Sequence, residues 1–278
     1  MVTDSTADLS KELAEKHNIP VIPLKVFFGD DEYSDGVTLA PDEFIKKIKT
    51  SKTFPRTSQP SPGEFLNLYN TLGEQGFKKI ISLHISSKLS GTVDSAKIAK
   101  SMVKSLDIRV IDTLTTSLGL GLITLWTASF IENTDDIDGV VKKIESQLTA
   151  IKIFFTVKTL TYLSKGGRIG KAQAFVGNLL GLKPLLALQD GQGEIVPVKK
   201  VKGKKKVLDE IIDLIVKSYS NSKCMYGIGV AHSCMEEEAD YLLRTLSKRI
   251  PDVEIITSRI GCVIGSHVGP EVIGAGIF

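Results

Sequence analysis

Two hydroxyl-rich segments of the sequence have the composition of an anion-binding site. Residues 57–61 read TSQPS and residues 86–92 read SSKLSGT, and each segment leads into a stretch with helical patterning. Free backbone N–H groups at the start of a helix bind anions, and neighbouring Ser and Thr hydroxyls add further donors. A helix N-cap needs only one such hydroxyl. The Ser and Thr hydroxyls beyond those needed for capping predict that these two segments hold the anionic head of a ligand.

Asp4 and Asp112 each follow an apolar run that predicts a β-strand. At the carboxyl edge of a parallel sheet, side chains in this position can contact a ligand. Asp is also a common N-cap residue, and here it would cap the helix that follows the strand. Both roles fit the sequence, and capping is the more ordinary of the two.

The histidines do not form a pattern that would bind a metal. His17, His84, His232 and His267 are scattered, and neither a His-x-x-x-His nor a Cys-x-x-Cys spacing occurs. His267 stands apart, because residues 265–270 (GSHVGP) read as a turn that would expose its side chain. A lone loop histidine is nevertheless more often structural than functional. We therefore expect no metal site.

The sequence motifs of several common enzyme classes are absent. The chain contains no Gly-x-Ser-x-Gly elbow, no Gly-x-x-x-x-Gly-Lys-Ser/Thr phosphate loop and no Gly-x-Gly-x-x-Gly dinucleotide fingerprint. This favours a binding protein that needs no cofactor over an enzyme.

The charge and composition exclude further classes of protein. The formal net charge is +3 and the pI is about 8.6, below the value of roughly 9 expected of a nucleic-acid-binding domain. Hydrophobic residues make up 42% and charged residues 24%, which is typical of globular proteins rather than disordered ones. The basic cluster from Lys199 to Lys206 is either a solvated surface or a docking patch for an acidic partner. We expect no nucleic-acid partner.

The cysteine content and the apolar segments bear on localisation. Cys224, Cys234 and Cys262 are too few, and odd in number, for a disulfide scaffold. The first 25 residues mix charged with apolar residues and lack the apolar stretch of a signal peptide. Residues 113–131 carry no charge, but their Ser and Thr content favours a buried helix over a membrane span. The sequence predicts a cytoplasmic protein with no integral membrane segment.

Hydrophobic patterning predicts an α/β protein of two domains, residues 1–150 and 151–278. In the first, short β-branched runs alternate with helical patterns, which indicates a three-layer αβα domain with a mostly parallel sheet. Its predicted strands cover residues 2–3, 21–24, 79–84 and 108–111. Its predicted helices start at Pro41, after the capping box that begins at Ser61, and at Gly91, the last of these running to Leu106.

The second predicted domain has α+β patterning with a largely antiparallel sheet. Residues 185–189 and 194–198 flank a Gly-rich turn and predict a hairpin. The other elements predicted are an apolar run at 151–157, helices at 204–218 and 236–249, and strands at 226–231, 253–258 and 272–277. Residues 172–186 have apolar side chains around more than one helical face, which predicts an additional buried surface. That surface belongs either to an ordinary core, to an apolar ligand or to the other domain.

Taken together, the motifs closely resemble the bacterial DegV family. The resemblance is collinear over essentially the whole chain, so chance is a poor explanation for it. The matching segments are residues 2–9, 57–61, 85–92, 160–170, 183–184 and 265–270.

The resemblance implies a DegV-like fold and a fatty-acid-binding function. A long-chain fatty acid would lie between the two domains, and a separate fatty acid kinase would phosphorylate its carboxylate to an acyl phosphate for phospholipid synthesis. The protein would then be a lipid-binding carrier, with ATP and metal belonging to the kinase.

The resemblance also implies which residues contact the ligand and the partner. Thr57 and Ser90 would hold the carboxylate with His267 nearby. Ser58 and the Gly91 amide are plausible neighbours of that site. For Arg168, in the Lys-Gly-Gly-Arg segment, the resemblance implies partner docking or phosphoryl transfer.

A stand-alone enzyme is the alternative hypothesis. A kinase or hydrolase of related fold, acting on a small anionic substrate, would use Asp4, Asp112 and the two hydroxyl-rich segments as its site. The missing phosphate loop argues against it.

Overall fold

A computed structural model describes residues 1–131, 134–177, 179–221 and 226–278. The strands are β1 (Val2–Asp4), β2 (Val21–Ile22), β3 (Lys25–Phe28), β4 (Asp31–Ser34), β5 (Arg56–Ser58), β6 (Lys79–His84), β7 (Asp107–Asp112), β8 (Lys152–Val157), β9 (Lys183–Leu188), β10 (Val196–Val201), β11 (Ile228–Ser233), β12 (Ile255–Arg259) and β13 (Val272–Ile277). The helices are α1 (Lys11–Lys16), α2 (Pro41–Thr50), α3 (Pro62–Glu74), α4 (Thr92–Met102), α5 (Ser117–Ile131), α6 (Ile137–Glu145), α7 (Thr161–Lys165), α8 (Lys204–Asn221), α9 (Glu236–Arg249) and α10 (Cys262–Val268).

A four-stranded parallel sheet with the order β2-β1-β6-β7 organises residues 1–150, called the N-terminal part below. Helices α3 and α4 pack on one face of it through residues such as Phe65 and Ala96. Helix α5 packs on the other face, against Ile81 and Leu83. Because helices cover both faces of the sheet, every residue of β6 except Lys79 is buried. The three-layer arrangement with a parallel sheet is therefore confirmed.

The predicted starts of two helices are also confirmed. At α3 the Ser61 hydroxyl accepts from the Glu64 backbone N–H, and the Glu64 carboxylate accepts from the Ser61 N–H. Helix α2 begins with Pro41 at its first position. Helix α4 is shorter than predicted, because Gly91 is its N-cap residue and the chain becomes extended at Val103.

A small antiparallel sheet, β4-β3-β5, has no counterpart among the predicted strands. Of the strand predicted over residues 21–24, only Val21–Ile22 forms a strand, β2, and the chain leaves that sheet at Pro23 before β3 begins at Lys25 in the small sheet. Proline has no N–H for a strand ladder, so it interrupts the pairing there. Thr57 and Ser58 consequently lie on strand β5 rather than in a loop.

A six-stranded sheet with the order β10-β9-β8-β13-β11-β12 forms the framework of residues 151–278, the C-terminal part. All of its ladders are antiparallel except the β11–β12 pair. The predicted hairpin is present as β9 and β10, and the largely antiparallel sheet is confirmed. Helices α8 and α9 cover one face through residues such as Ile211 and Leu242.

The uncharged segment ending at Ile131 forms α5, which lies between the parallel sheet and the six-stranded sheet. It contacts β6 on one side and β8, β11 and β13 on the other. This explains why it is apolar around its whole circumference. Among the described residues, no helix is both long and apolar enough to cross a membrane.

The prediction of helical packing over residues 172–186 was wrong. The segment continues a short 3-10 helix, Gly170–Phe175, and then enters β9 at Lys183. Gly177 and Gly181 both have positive φ, of 85° and 69°, and this backbone conformation does not continue a right-handed helix. Of the apolar residues of β9 that follow, Leu185 and Ala187 are buried in the core beneath α8 and α9, and Leu186 and Leu188 in the core that both parts share.

The largest core cluster contains residues from both parts of the chain, including Leu83 on β6 and Phe155 on β8. That residues 1–150 and 151–278 fold as separate domains stays a prediction.

Candidate functional site

The Thr57 hydroxyl and the His267 imidazole meet at the boundary between the N-terminal and C-terminal parts. Thr57 Oγ1 lies 2.8 Å from His267 Nε2, although 210 positions separate the two residues in the chain. Thr57 is carried by β5 and His267 by α10, and both side chains are half-buried. The fold therefore brings two residues of the expected carboxylate site into direct contact.

His267 belongs to the last turn of α10, so the prediction of an exposing turn over residues 265–270 was wrong. The helix ends at Gly269, whose φ of 85° is in the left-handed region that favours glycine. Gly265 lets α10 approach α2 closely, because a Cβ there would lie 2.7 Å from the Phe44 ring. The tight packing directs the imidazole into the molecule.

The imidazole of His267 is in an environment that disfavours its charged form. Burial, and secondarily the positive charge of Arg168, lower the pKa of His267 to about 4. The ring is accordingly neutral at pH 7. Its Nδ1 atom is buried and has no hydrogen-bond partner among the described residues.

The Arg168 guanidinium joins the two parts beside this histidine. Its Nε donates to the Leu89 carbonyl at 2.9 Å, and its Nη1 donates to the Gly166 carbonyl at 2.7 Å. The Leu89 contact fixes the backbone immediately before Ser90. Arg168 therefore holds the second hydroxyl-rich segment against the C-terminal part.

The remaining predicted site residues lie close to this boundary. Ser90 Oγ is 2.9 Å from Thr92 Oγ1 and lines the same cavity as Thr57. Ser58 also lines it but is exposed, and its hydroxyl donates to the Gln59 carbonyl at 3.0 Å. Gly91 is not among the lining residues, and the Gln59 side chain lies against it.

An apolar cavity continues inward from these polar groups. Its volume is about 90 Å³, and both parts of the chain contribute to its wall. Leu24, Ile85, Leu89 and Leu118 come from the N-terminal part, and Ile153, Phe155, Leu163, Leu188, Ile195, Ala231, Ile260, Val263, Ile264, Val268 and Val272 come from the C-terminal part. The half-buried Thr57, Ser90 and Arg168 form a polar rim, and the interior is mainly apolar apart from the buried Thr116 and Ser117. This arrangement suits an amphipathic ligand with one small polar head.

Two buried carboxylates hold the start of α10, and no local sequence pattern indicated either of them. The Gly261 N–H donates to Asp8 Oδ1 at 3.0 Å, and the Cys262 N–H donates to Asp35 Oδ1 at 2.8 Å. Burial is the main cause that raises the pKa of both groups, in the case of Asp8 to about 8. Asp8 also accepts from the Ser117 hydroxyl. These contacts fix the helix that carries His267.

Asp4 belongs to a buried chain of hydrogen bonds rather than to an open site. Asp4 Oδ2 lies 2.9 Å from His84 Nδ1, His84 Nε2 lies 2.6 Å from Ser82 Oγ, and Ser82 Oγ lies 2.9 Å from Tyr69 Oη. The connectivity is that of a Ser-His-Asp triad. All four side chains have 0% exposure, however, so no substrate reaches Ser82. Asp4 also accepts from the backbone N–H of Thr6, which is the capping role.

Asp112 likewise serves the backbone. Its Oδ1 accepts from the N–H groups of Ser87 and Leu114, at 3.2 and 3.1 Å. Both carboxylates of the alternative enzyme hypothesis therefore accept hydrogen bonds from backbone N–H groups.

The basic cluster is partly neutralised by its surroundings. Lys199 pairs with Glu210 at 2.5 Å, and Lys204 pairs with Glu238. The Lys200 ammonium lies 4.9 Å from the centre of the Phe175 ring. These contacts favour a solvated surface over a docking patch, and docking of an acidic partner stays a prediction.

Of the cysteines, Cys224 lies outside the described residues, and Cys234 and Cys262 are free thiols.

Comparison with known proteins identifies the family. The family model described as "Uncharacterised protein, DegV family" matches residues 1–278, the full length of the chain. The chain belongs to the DegV family. Protein DegV of Bacillus subtilis is 37% identical over 275 residues, which cover 99% of this chain and 96% of that protein.

Solved structures of DegV proteins share the fold. DegV from Bacillus subtilis, described as a fatty acid binding protein, has 36% identity and a TM-score of 0.90, and covers 100% of this chain and 98% of its own. A stearic-acid-binding protein from Eubacterium ventriosum has 31% identity and a TM-score of 0.90, and the match covers 99% of this chain and 96% of that protein. The DegV-like fold class is thus confirmed, and DegV homologues bind fatty acids. The roles of the individual site residues stay predictions.

Proposed function

We propose that this DegV-family protein binds a long-chain fatty acid in the cavity between its two parts. The observation that carries the proposal is the Thr57–His267 contact at the rim of an apolar cavity lined by both parts. The DegV relatives described as fatty-acid-binding proteins support it.

The apolar interior provides the affinity for the acyl chain. Each methylene group removed from water contributes about 0.8 kcal/mol, so a long chain gains far more from the cavity than its head gains from a few hydrogen bonds. The lining side chains are Leu, Ile, Val and Phe in the main, which make no directional demands. The cavity thus selects for an extended hydrocarbon.

The polar rim provides the orientation of the ligand. Hydroxyls of Thr57 and Ser90 donate to the carboxylate, and the neutral His267 ring supports Thr57. Ser58, which lines the cavity, and the Gly91 amide, which does not, are the neighbours that we assign to this group. The partly buried guanidinium of Arg168 adds positive charge without a direct ion pair being required. These hydroxyl donors and this positive charge are sufficient to hold a single carboxylate.

We propose further that the protein acts in the bacterial cytoplasm as a carrier that presents the carboxylate to a separate fatty acid kinase. The acyl phosphate formed there would supply phospholipid synthesis. This part rests on the family resemblance and on the absence of a phosphate loop in the sequence. Arg168 is the residue we assign to partner docking or phosphoryl transfer, because it lies at the rim beside the head-group position.

The decisive test of ligand binding is chemical. Organic extracts of the purified protein should contain long-chain fatty acid by mass spectrometry, or the protein should take up stearic acid on incubation. A protein that carries no fatty acid and takes none up would overturn the proposal.

Substitution tests the assignment of the head-group residues. Ser90→Ala and His267→Ala should each weaken stearate binding by about 1.5–3 kcal/mol, since each removes a hydrogen bond associated with a charged group. Ser101→Ala is the matched control, because that exposed hydroxyl donates only to the Ile98 carbonyl of its own helix. Affinities equal to that of the control in both variants would show that the carboxylate binds elsewhere.

Turnover separates the carrier from an enzyme. With ATP and stearate, acyl phosphate should form only when a fatty acid kinase is added. Product made by this chain alone would contradict the carrier assignment.

A further inference from the structure

The His267 ring is confined on both of its nitrogen edges. Nε2 faces the Thr57 hydroxyl at 2.8 Å, and Nδ1 is buried without a hydrogen-bond partner among the described residues. On the Nδ1 side the ring abuts Gly166, where a Cβ atom would lie 2.3 Å from Nδ1 and 3.1 Å from Cε1. The ring thus lies between a hydroxyl and the bare α-carbon of a glycine.

Gly166 is not required by the backbone conformation. Its φ and ψ are −75° and −9°, which any residue adopts. The next residue, Gly167, is the one with a positive φ of 70°, and no atom lies within 4 Å of its Cβ position. The absence of a side chain at 166 therefore serves the approach of His267.

We propose that Gly166 is a positioning residue that fixes His267 in the tautomer carrying its hydrogen on Nε2. The α-hydrogen of Gly166 that replaces a side chain points at Nδ1. If Nδ1 carried a hydrogen, that hydrogen would collide with the α-hydrogen of Gly166. An Nδ1 lone pair, in contrast, can accept a weak hydrogen bond from the Gly166 C–H group. Nδ1 is therefore unprotonated, and the hydrogen of the neutral ring lies on Nε2.

The tautomer decides which way the Thr57 hydroxyl points. With hydrogen on Nε2, the imidazole donates to Thr57 Oγ1, and the Thr57 hydrogen is free to point into the cavity. In the other tautomer Thr57 would donate to Nε2 and present only lone pairs to the ligand. A carboxylate accepts hydrogen bonds and repels lone pairs, so only the first tautomer makes Thr57 a donor to it. This consequence rests on the proposed function, but the tautomer itself does not.

Nitrogen-15 NMR tests the tautomer without any fatty acid. Long-range proton–nitrogen spectra distinguish a protonated from an unprotonated ring nitrogen, and His267→Ala identifies the signals among the four histidines. We expect Nε2 protonated and Nδ1 unprotonated in the native chain at pH 7. In Gly166→Ala the new methyl group displaces the ring, and this signal pattern should be lost. Protonation on Nδ1 in the native chain, or an unchanged pattern in Gly166→Ala, would overturn the inference.

A double-mutant cycle with stearate tests the route by which Gly166 acts. Gly166→Ala should weaken binding by about tenfold or more, because it displaces the His267 ring and so disturbs the hydrogen bond from Thr57 to the charged carboxylate. Added to His267→Ala, it should cause no further loss. Gly167→Ala is the control, because it strains the neighbouring backbone but leaves His267 untouched, and it should bind as the native chain does. Additive losses would contradict action through His267. If the native chain binds no stearate, the proposed function fails while the NMR result still stands.

Discussion

The Asp8 carboxyl group shows how one buried residue makes the joint between the two parts depend on pH. Burial is the largest cause of its raised pKa of about 8, and the nearby Asp35 carboxyl acts in the same direction. In the unfolded chain the group has an ordinary pKa of about 3.9. Between these values the folded state binds the extra proton, so the free energy of unfolding falls as the pH rises from about 4 to about 8.

Replacing Asp8→Asn should remove this dependence. The amide oxygen keeps an acceptor for the Gly261 N–H, and no buried charge forms as the pH rises. The free energy of unfolding of the variant, minus that of the native chain, should increase by about 1 kcal/mol per pH unit between pH 5 and 7. Urea unfolding at a series of pH values measures it. Parallel pH profiles for the two proteins would contradict a raised pKa at Asp8.

Residue types alone indicated part of the candidate site. The surplus of hydroxyls around Thr57 and Ser90 indicated an anion site, and both residues lie on the rim of the cavity. His267 read as structural, because its contact with Thr57 spans 210 positions that no local pattern reports. Asp8 and Asp35 also had no local signal, since the N–H groups they accept from belong to α10. Contacts between residues far apart in the chain are therefore the part of the candidate site that local sequence patterns did not predict.

At the scale of elements, α5 is held on the six-stranded sheet by a close approach of helix and strand. Leu118, at the start of α5, lies directly over Gly229 on β11 and Gly276 on β13. A Cβ atom at Gly229 would lie 2.6 Å from Leu118 Cδ2. Leu118 also lines the cavity, so the glycines set how far this side chain projects into it.

Gly229→Ala should therefore overpack this contact. We expect a loss of about 1–3 kcal/mol in the free energy of unfolding, measured with urea. Shortening the opposing side chain with Leu118→Val should recover part of the loss in the double variant. Equal losses with and without Leu118→Val would show that the two residues do not compete for space.

Helices and strands with a clear sequence pattern of their own were predicted well. Strands that form only by pairing with distant parts of the chain were not predicted. The capping box at Ser61 and the apolar run of β6 gave a helix start and a strand with the observed bounds. The small sheet β4-β3-β5 was missed because its strands are short and half-exposed, and β5 pairs across nearly thirty residues of intervening chain. A strand of three residues has no periodicity to detect.

At the scale of the whole molecule, the cavity is narrow for the proposed ligand. Its volume of about 90 Å³ is below the roughly 300–1,000 Å³ of ordinary ligand pockets. Entry of a long acyl chain therefore requires the cavity to widen, and we propose that the two parts move apart to widen it. The contacts that resist this include Arg168 with the Leu89 carbonyl and Ser86 Oγ with the Gly193 carbonyl, at 2.9 and 2.6 Å.

Weakening one such contact should accelerate ligand exchange. Ser86→Ala removes the bond to the Gly193 carbonyl and the acceptor of the Lys88 N–H, while the side chains of Thr57, Ser90 and His267 are unsubstituted. Association and dissociation rate constants of a fluorescent fatty acid should both increase, with a smaller change in Kd. The reason is that the lost bond stabilises the closed protein both with and without ligand, so its removal lowers the free energy of opening in both. Stopped-flow fluorescence measures them, with Ser101→Ala as the control. Unchanged rates in Ser86→Ala would indicate that the parts need not separate there.

The Thr57–His267 contact has a consequence for how the sequence can change over generations. Neither half of the chain encodes the pair by itself, so recombination that exchanged one half with a distant relative would keep the contact only where both parents share it. Substitution at either position, some two hundred codons from the other, leaves its counterpart without a partner. Inheritance of these two residues should accordingly be linked, and a lineage that loses one should also be free to lose the other.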